Sequence, residues 1–442
     1  MTCKIIDMYL TLTLWFEIGS AALLGLAFLW TRAEYGLFLY AFALGFPDLA
    51  FPLGNTINLR LDDVLILLFL VRTVLWTPAP LTRGQRKIFT WQALFFTACL
   101  FSIAVESAQG TYPEGFETAK MAGCAVIVLV LPRLVQSERR LRFFLAGLIC
   151  AGAALAIQVF LRLRTSSSSD FGNFQQMKSA AAFTTWNPNT IGQAAVLLVF
   201  AAGLGAIFFS KTLISKIFWP GLAMGFAVLP AMVFVRGTSL SIAAGFLLFL
   251  CMARRWRWAL LFAAAGLGAI LYIHSLDRPL VEGATNVNLA TGEGFSDRFE
   301  RWEMAKRAIQ LQPILGQGFS QELNYLNLIG SEGRAHNAYL TVWIELGLGG
   351  LLLLLSVIFQ FVRAGFFLYG NPRFQIQGAL IVALTFVLCL DSLALSTLYW
   401  EKLPTIALSL AVAVVGMCER NDQEMAVTEV CMLACEPDAQ RS

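Results

Sequence analysis

Charge is scarce in this chain. Of its 442 residues only 14% are Asp, Glu, Lys or Arg and 58% are hydrophobic, whereas soluble domains carry about 25% charged residues. That scarcity excludes an ordinary soluble domain, and a net charge of +4 is too small to imply a nucleic-acid partner. The nine cysteines are scattered without metal-ligand spacing; Cys431 and Cys435 lie close together but have no histidine partners, which argues against a structural zinc site. A Gly-x-Ser-x-Gly elbow is lacking, so a serine hydrolase has no support. No cleavable signal peptide is expected: Lys4 is the only basic residue at the start, and no small-residue cleavage site follows the first apolar run. Internal repeats and the paired broken spans of an inverted-repeat transporter are also lacking. Histidine is the rarest of these residues, with two in the whole chain, His274 and His336.

What is present is a series of long apolar runs, such as 348–361 and 381–390. Runs of roughly 20 apolar residues read as transmembrane helices, and these do not alternate as barrel strands would. The expected fold is an all-α polytopic membrane protein. Its candidate spans are 8–30, 35–53, 61–77, 88–107, 119–132, 143–161, 189–209, 217–234, 238–252, 259–274, 338–361, 375–393 and 403–418. If 8–53 holds one span and a re-entrant piece, the count is about twelve.

The connecting loops sort by charge. Those at 78–87, 133–142, 210–216, 253–258 and 362–374 carry 14 Lys or Arg and one acid, Glu138. In those at 108–118, 162–188, 235–237, 275–337 and 394–402 acids and bases nearly balance. Lys and Arg in short loops stay on the cytoplasmic side, so the second set faces outward, to the periplasm in a Gram-negative cell. The expected organisation is one transmembrane domain over 1–418, with a large periplasmic loop at 275–337, a second at 162–188, and a cytoplasmic tail at 419–442. The outward loops contain no cysteine, so disulfides are not expected to shape them.

The large loop reads as structured. "SDRFERWEMAKRAIQ" predicts an amphipathic helix. Asp297 and Glu300 fit a capping box, and Phe295, Phe299, Trp302 and Ile309 fall on one stripe. Pro313 and then "GQG" end it. Such a helix is expected on or in the membrane surface, with Arg298 at the border of the stripe, at the depth of lipid diphosphates.

His336 directly precedes the 338–361 span, with Asn337 as its expected N-cap. The positive end of the helix dipole disfavours an imidazolium. A neutral histidine held below its usual pKa of ~6.5 is a competent base near neutral pH. Arg236, between two spans with almost no loop, offers the planar fork of donors that suits phosphate, because an arginine deep in a span is otherwise costly. Arg298 and Arg334 are the loop arginines best placed to join it; Arg301 and Arg307 read as solvated. Asn187 and Asn189 flank Pro188 at an expected helix entry. Asp62 and Asp63 read as a helix cap, and His274 as an interfacial residue. Arg72 and Asp391 are the exceptional charges within the spans. With no Asp-x-Asp motif or His/Cys cluster in the outward loops, no metal is expected.

Several stretches together resemble the O-antigen ligase and O-antigen polymerase family of bacterial membrane glycan transferases. They are "NPN" at 187–189, "RGTSLSIAAGFLL" from Arg236, and "SDRFERWEMAKRAIQLQPILGQGF" with its Arg-x3-Trp spacing from Arg298 to Trp302. The last is "HNAYLTVWIELGLGG", with Glu345, Gly347 and Gly350. The resemblance lies almost wholly within 180–360 and departs where Val235 precedes Arg236, a place where the family often has serine. It implies a GT-C-like helical enzyme that works without metal or other cofactor. The glycan would be carried on undecaprenyl diphosphate, His336 would act as base, and the arginines would hold the diphosphate. Asn187, Asn189, Asn337, Trp302 and Glu345 would support the site.

The residues themselves agree with that chemistry. Attack of a sugar hydroxyl at an anomeric carbon needs a base for the hydroxyl and cations for the departing diphosphate. Single displacement inverts the anomeric centre and needs no paired carboxylate. The expected partners are the lipid-linked glycan, a lipid A-core or growing glycan acceptor, and the bilayer. Polymerisation of repeat units on the carrier fits equally well. Transfer to protein, or transport of a lipid-linked glycan or anion, fits less well.

Overall fold

The computed structural model describes residues 33–46, 50–53, 57–75, 80–108, 115–165, 188–232, 235–264, 296–330, 334–393 and 401–435. Thirteen named helices lie within them: α1 Ala33–Ala43, α2 Leu61–Leu75, α3 Arg83–Ala108, α4 Gly115–Leu134, α5 Glu138–Thr165, α6 Pro188–Phe209, α7 Leu213–Met232, α8 Arg236–Met252, α9 Ser296–Leu311, α10 Glu322–Leu328, α11 Ala338–Gly370, α12 Gln375–Ser392 and α13 Lys402–Cys435. Apolar residues dominate these runs, and in hydrocarbon a helix satisfies every backbone polar group within the segment.

Seven of the described helices are long and apolar enough to cross a membrane, namely α3, α5, α6, α7, α11, α12 and α13. That is the pattern of a multi-pass membrane protein. The expected spans from 88 onward coincide with helices, except that 259–274 runs beyond the described residues; 8–30 lies wholly outside them. The span expected at 35–53 is corrected. In its place stand the 11-residue α1 and an antiparallel hairpin, β1 (Ala50–Leu53) paired with β2 (Ile57–Arg60). At about 1.5 Å per residue, α1 is too short for a ~30 Å hydrocarbon core. Pro47 and Pro52 also oppose helix continuation there. Expected as a tail, the residues after 418 continue α13 as helix to Cys435.

α13 is the most enclosed of the seven and packs against α3, α4 and α6. Polar bonds fix its far end: Gln85 Nε2 donates to the Val412 carbonyl at 3.1 Å, and the Gly84 N–H to the Glu419 carboxylate at 3.0 and 3.1 Å. α11 packs against α3 and α12, and α12 against α8. This brings the start of α11 beside the ends of the helices that the sequence marks as chemical.

Candidate active site

α11 is broken. Gly347 takes φ 67° and ψ −168° within it, and the loop after α9 fills the interruption. Gln317 N–H donates to the Ile344 carbonyl at 2.6 Å, Gly318 N–H to the Glu345 carbonyl at 3.0 Å, and Leu348 N–H to the Pro313 carbonyl at 3.0 Å. Trp343 Nε1 donates to the same Pro313 carbonyl at 3.0 Å. Backbone groups that the break releases are thus paired by protein, as membrane depth requires. Glycine is needed on both sides. Gly316 has φ 77° and Gly347 φ 67°, and a Cβ on Gly316 would strike Glu345 O and Gly347 N, while one on Gly347 would strike Ile314 O.

The following turn rests on α3. The Glu106 carboxylate accepts from Phe319 N–H, from Gln321 Nε2 at 3.3 Å and from Ser102 Oγ at 3.0 Å. α10 then presents Glu322, 1% exposed. Its Oε1 accepts from Ala335 N–H at 2.9 Å and lies 3.1 Å from Thr341 Oγ1. Burial pushes the Glu322 pKa up, opposed by these bonds and by the Arg334 charge.

Ala335 is fully buried, and its carbonyl accepts from Trp302 Nε1 at 3.1 Å. On the other side Asn337 caps α11 as expected: Oδ1 accepts from Tyr339 N–H at 3.0 Å and Leu340 N–H at 3.2 Å. Between these two fixed points stands the half-buried His336 with φ 50°. A non-glycine residue in that region stores roughly 1–3 kcal/mol, which persists only where its surroundings over-determine it.

α9 sits differently from the expectation. Ala305, Ala308 and Ile309 form a small core with Leu326, Ala335 and Ile344, and Trp302 packs against it. The helix therefore docks on protein as well as offering a surface. Of the expected stripe, Phe299 is 58% exposed, with its ring 5.6 Å from that of Trp302; Phe295 and the side chain of Asp297 lie outside the described residues. Arg298 is partly buried. Desolvation, and then the neighbouring Arg301, lowers its pKa, so an anion arriving there would be welcomed by two crowded cations.

Arg334 has a protein partner. Its Nη2 lies 3.5 Å from Glu117 Oε1 on α4, and Lys120 joins Glu117 to Glu401 at 3.5 and 3.2 Å. Expected as a ligand for diphosphate, it also has a buried carboxylate beside it. Asp62 and Asp63 combine a cap with an ion pair: Asp63 Oδ2 accepts from Arg60 N–H at 3.2 Å, and both carboxylates meet Lys402 Nζ. Arg236 opens α8, although its side chain lies outside the described residues, as do Asn187 and His274. Asn189 is half-buried in the first turn of α6.

A chain of contacts joins these helix ends. Tyr339 Oη donates to the Cys389 carbonyl near the end of α12 at 3.2 Å, and Thr238 Oγ1, two residues after Arg236, donates to Asp391 Oδ1 at 2.6 Å. A Cβ on Gly192 of α6 would lie 2.9 Å from Thr238 Oγ1. The starts of α6, α8 and α11 and the end of α12 therefore meet on one rim. Sequence reasoning missed Glu322, Thr341, Glu106 and Glu117. The spaced glycines of "GQG" and "ELGLGG" were a readable sign of an interlock, whereas nothing local distinguishes Glu322 from a solvated acid. Among the described residues no group of three or more His, Cys, Asp or Glu is placed to hold a metal.

Residues 231–355, less than a third of the chain, match the family model described as O-antigen ligase. The matched stretch contains Arg236, Arg298, Trp302, Glu322, His336 and Glu345. No curated protein matches the chain.

Proposed function

With a segment at 231–355 that matches O-antigen ligases, we propose that this protein is a metal-independent, inverting, GT-C-like glycosyltransferase. It moves a glycan from undecaprenyl diphosphate to a sugar hydroxyl of lipid A-core, at the periplasmic face of the inner membrane. The observation that carries the reading is the backbone at His336, left-handed and fixed on both sides, by Ala335 in the grip of Trp302 and Glu322 and by Asn337 capping α11.

In this reading the acceptor hydroxyl gives its proton to the His336 imidazole as its oxygen bonds to the anomeric carbon. The bond from that carbon to the diphosphate oxygen breaks, and the lipid diphosphate leaves with the electron pair. The start of α11 disfavours charge on the resting imidazole, which keeps it unprotonated and able to accept the hydroxyl proton. General-base help of this kind contributes about 10²–10⁴-fold. Arg236 and Arg298 stabilise the departing diphosphate. Arg334, paired with Glu117, holds the histidine loop to α4 and adds positive potential. Asn189 supports the rim from α6 and Asn187 precedes it, while Trp302 and Glu345 hold the loop and the broken helix in register.

The test is incubation of the purified protein with undecaprenyl-diphosphate glycan and lipid A-core, followed by mass analysis. Glycosylated lipid A-core, made equally well in EDTA, is the expected product. Lengthened glycan still on the carrier would assign polymerisation, and turnover abolished by EDTA would overturn the metal-free mechanism.

A further inference from the structure

Residues on both sides of His336 converge on one oxygen atom of a different helix. Glu322 Oε1 accepts from the Ala335 amide at 2.9 Å, one residue before the histidine, and lies 3.1 Å from Thr341 Oγ1, five residues after it. Thr341 Oγ1 is also 3.0 Å from the Asn337 carbonyl. The α10 carboxylate thus clamps the approach to His336 and the first turn of the helix that follows. Trp302 of α9 closes the same bracket by binding the Ala335 carbonyl at 3.1 Å.

Packing alone does not ask for an acid at this place. Glu322 is 1% exposed, and its second oxygen, Oε2, is buried without a hydrogen-bond partner. A buried polar atom left unsatisfied is costly, and a group of the same shape without charge would make the same two contacts. Charged acceptors bind N–H groups more strongly than neutral ones, and a strained backbone needs firm partners to persist.

We propose that Glu322 is a positioning residue for His336: through Ala335 and Thr341 it holds the left-handed turn that aims the imidazole at the acceptor. The proposal rests on the reading of His336 as the general base. Glu322 touches no reacting atom in this account, so its loss acts on turnover through the histidine and leaves donor binding nearly intact.

The chain's two histidines make the test direct. In a His274→Gln background, ¹⁵N-labelled histidine gives the ring-nitrogen signal of a single imidazole, that of His336. Glu322→Ala is expected to lower kcat about 100-fold, the scale of general-base help, with KM for the donor within about threefold, and to shift or broaden the His336 signal. Glu322→Gln keeps a carbonyl oxygen for both contacts. It is expected to lose less than about tenfold in kcat and to keep a signal close to wild type. If Glu322→Ala does not accumulate in the membrane, Thr341→Val removes one of the two contacts and is expected to give a smaller fall in kcat with a shifted signal.

Wild-type kcat and an unmoved imidazole signal in Glu322→Ala, or in Thr341→Val where that variant carries the test, overturn the proposal. So does a Glu322→Gln variant that is inactive while its imidazole signal stays wild type, because the carboxylate would then act on substrate itself. If the wild-type protein makes no glycosidic product, the general-base reading fails. The imidazole signal of the Glu322 variants then still decides whether Glu322 holds His336.

Discussion

The stretch from 316 to 347 and the helices α1 to α5 are built on opposite plans. In α1 to α5, large apolar side chains such as Tyr40, Phe69, Phe95, Ile127 and Phe144 are fully buried. Among the described residues no positive φ occurs in those helices, and at one end Lys402 neutralises the acids Asp62 and Asp63. Among the described residues from 316 to 347, by contrast, four glycines and the non-glycines Ser320 and His336 have positive φ. In that stretch backbone groups bond to carboxylates and to a broken helix. Regular helices supply rigidity, and the irregular stretch uses it to hold the backbone of His336 in a conformation that non-glycine residues disfavour. Glu106 is where the two plans touch, since it lies on α3 and anchors the turn at 319–321.

Mutations should separate the two. The largest effect is expected for His336→Ala, which should reduce transfer by about 10²–10⁴-fold with normal membrane insertion and donor binding. Near-wild-type turnover of that variant in the reconstituted assay would remove the base. Lys402→Met should do the reverse. Leaving Asp62 and Asp63 uncompensated should cost on the order of 3 kcal/mol of stability, read by denaturant titration in detergent, with kcat per folded molecule unchanged. A fall in kcat as large as that of His336→Ala would erase the contrast.

Gly347→Ala forces a Cβ onto Ile314 O at a positive φ. It should cost about 2 kcal/mol, with faster amide exchange at Gln317, Gly318 and Leu348. Unchanged protection there would show that the interlock does not depend on glycine. The smallest effect is expected for Arg298→Ala, about a tenfold loss in kcat/KM through weaker donor use. An equal loss with a donor analogue lacking the diphosphate would rule out that role.

Much of the fold was legible because the apolar runs are long and helix is the cheapest way to satisfy backbone in lipid. The helices from α3 to α8 and from α11 to α13 lie where hydropathy places them. The region 35–53 misled because its apolar composition conceals Pro47 and Pro52, so a short helix and a hairpin replace the span. In the site, the Asn337 cap was readable from one residue and its neighbours. The pairing of Arg334 with Glu117 was not readable because the two are more than two hundred positions apart in sequence, and charge pairing over that distance leaves no local pattern. Glu322, whose partners lie 13 and 19 positions away, resembles any surface acid until its burial is known.

The interlock at Gly347 also bears on how the chain is made. Residues 313–318 leave the ribosome before α11 does, so partners for the Ile344 and Glu345 carbonyls already exist when the second half of the pair arrives. A rearranged gene that encoded α11 ahead of this loop would deliver a half-built rung to the lipid with nothing yet translated to complete it.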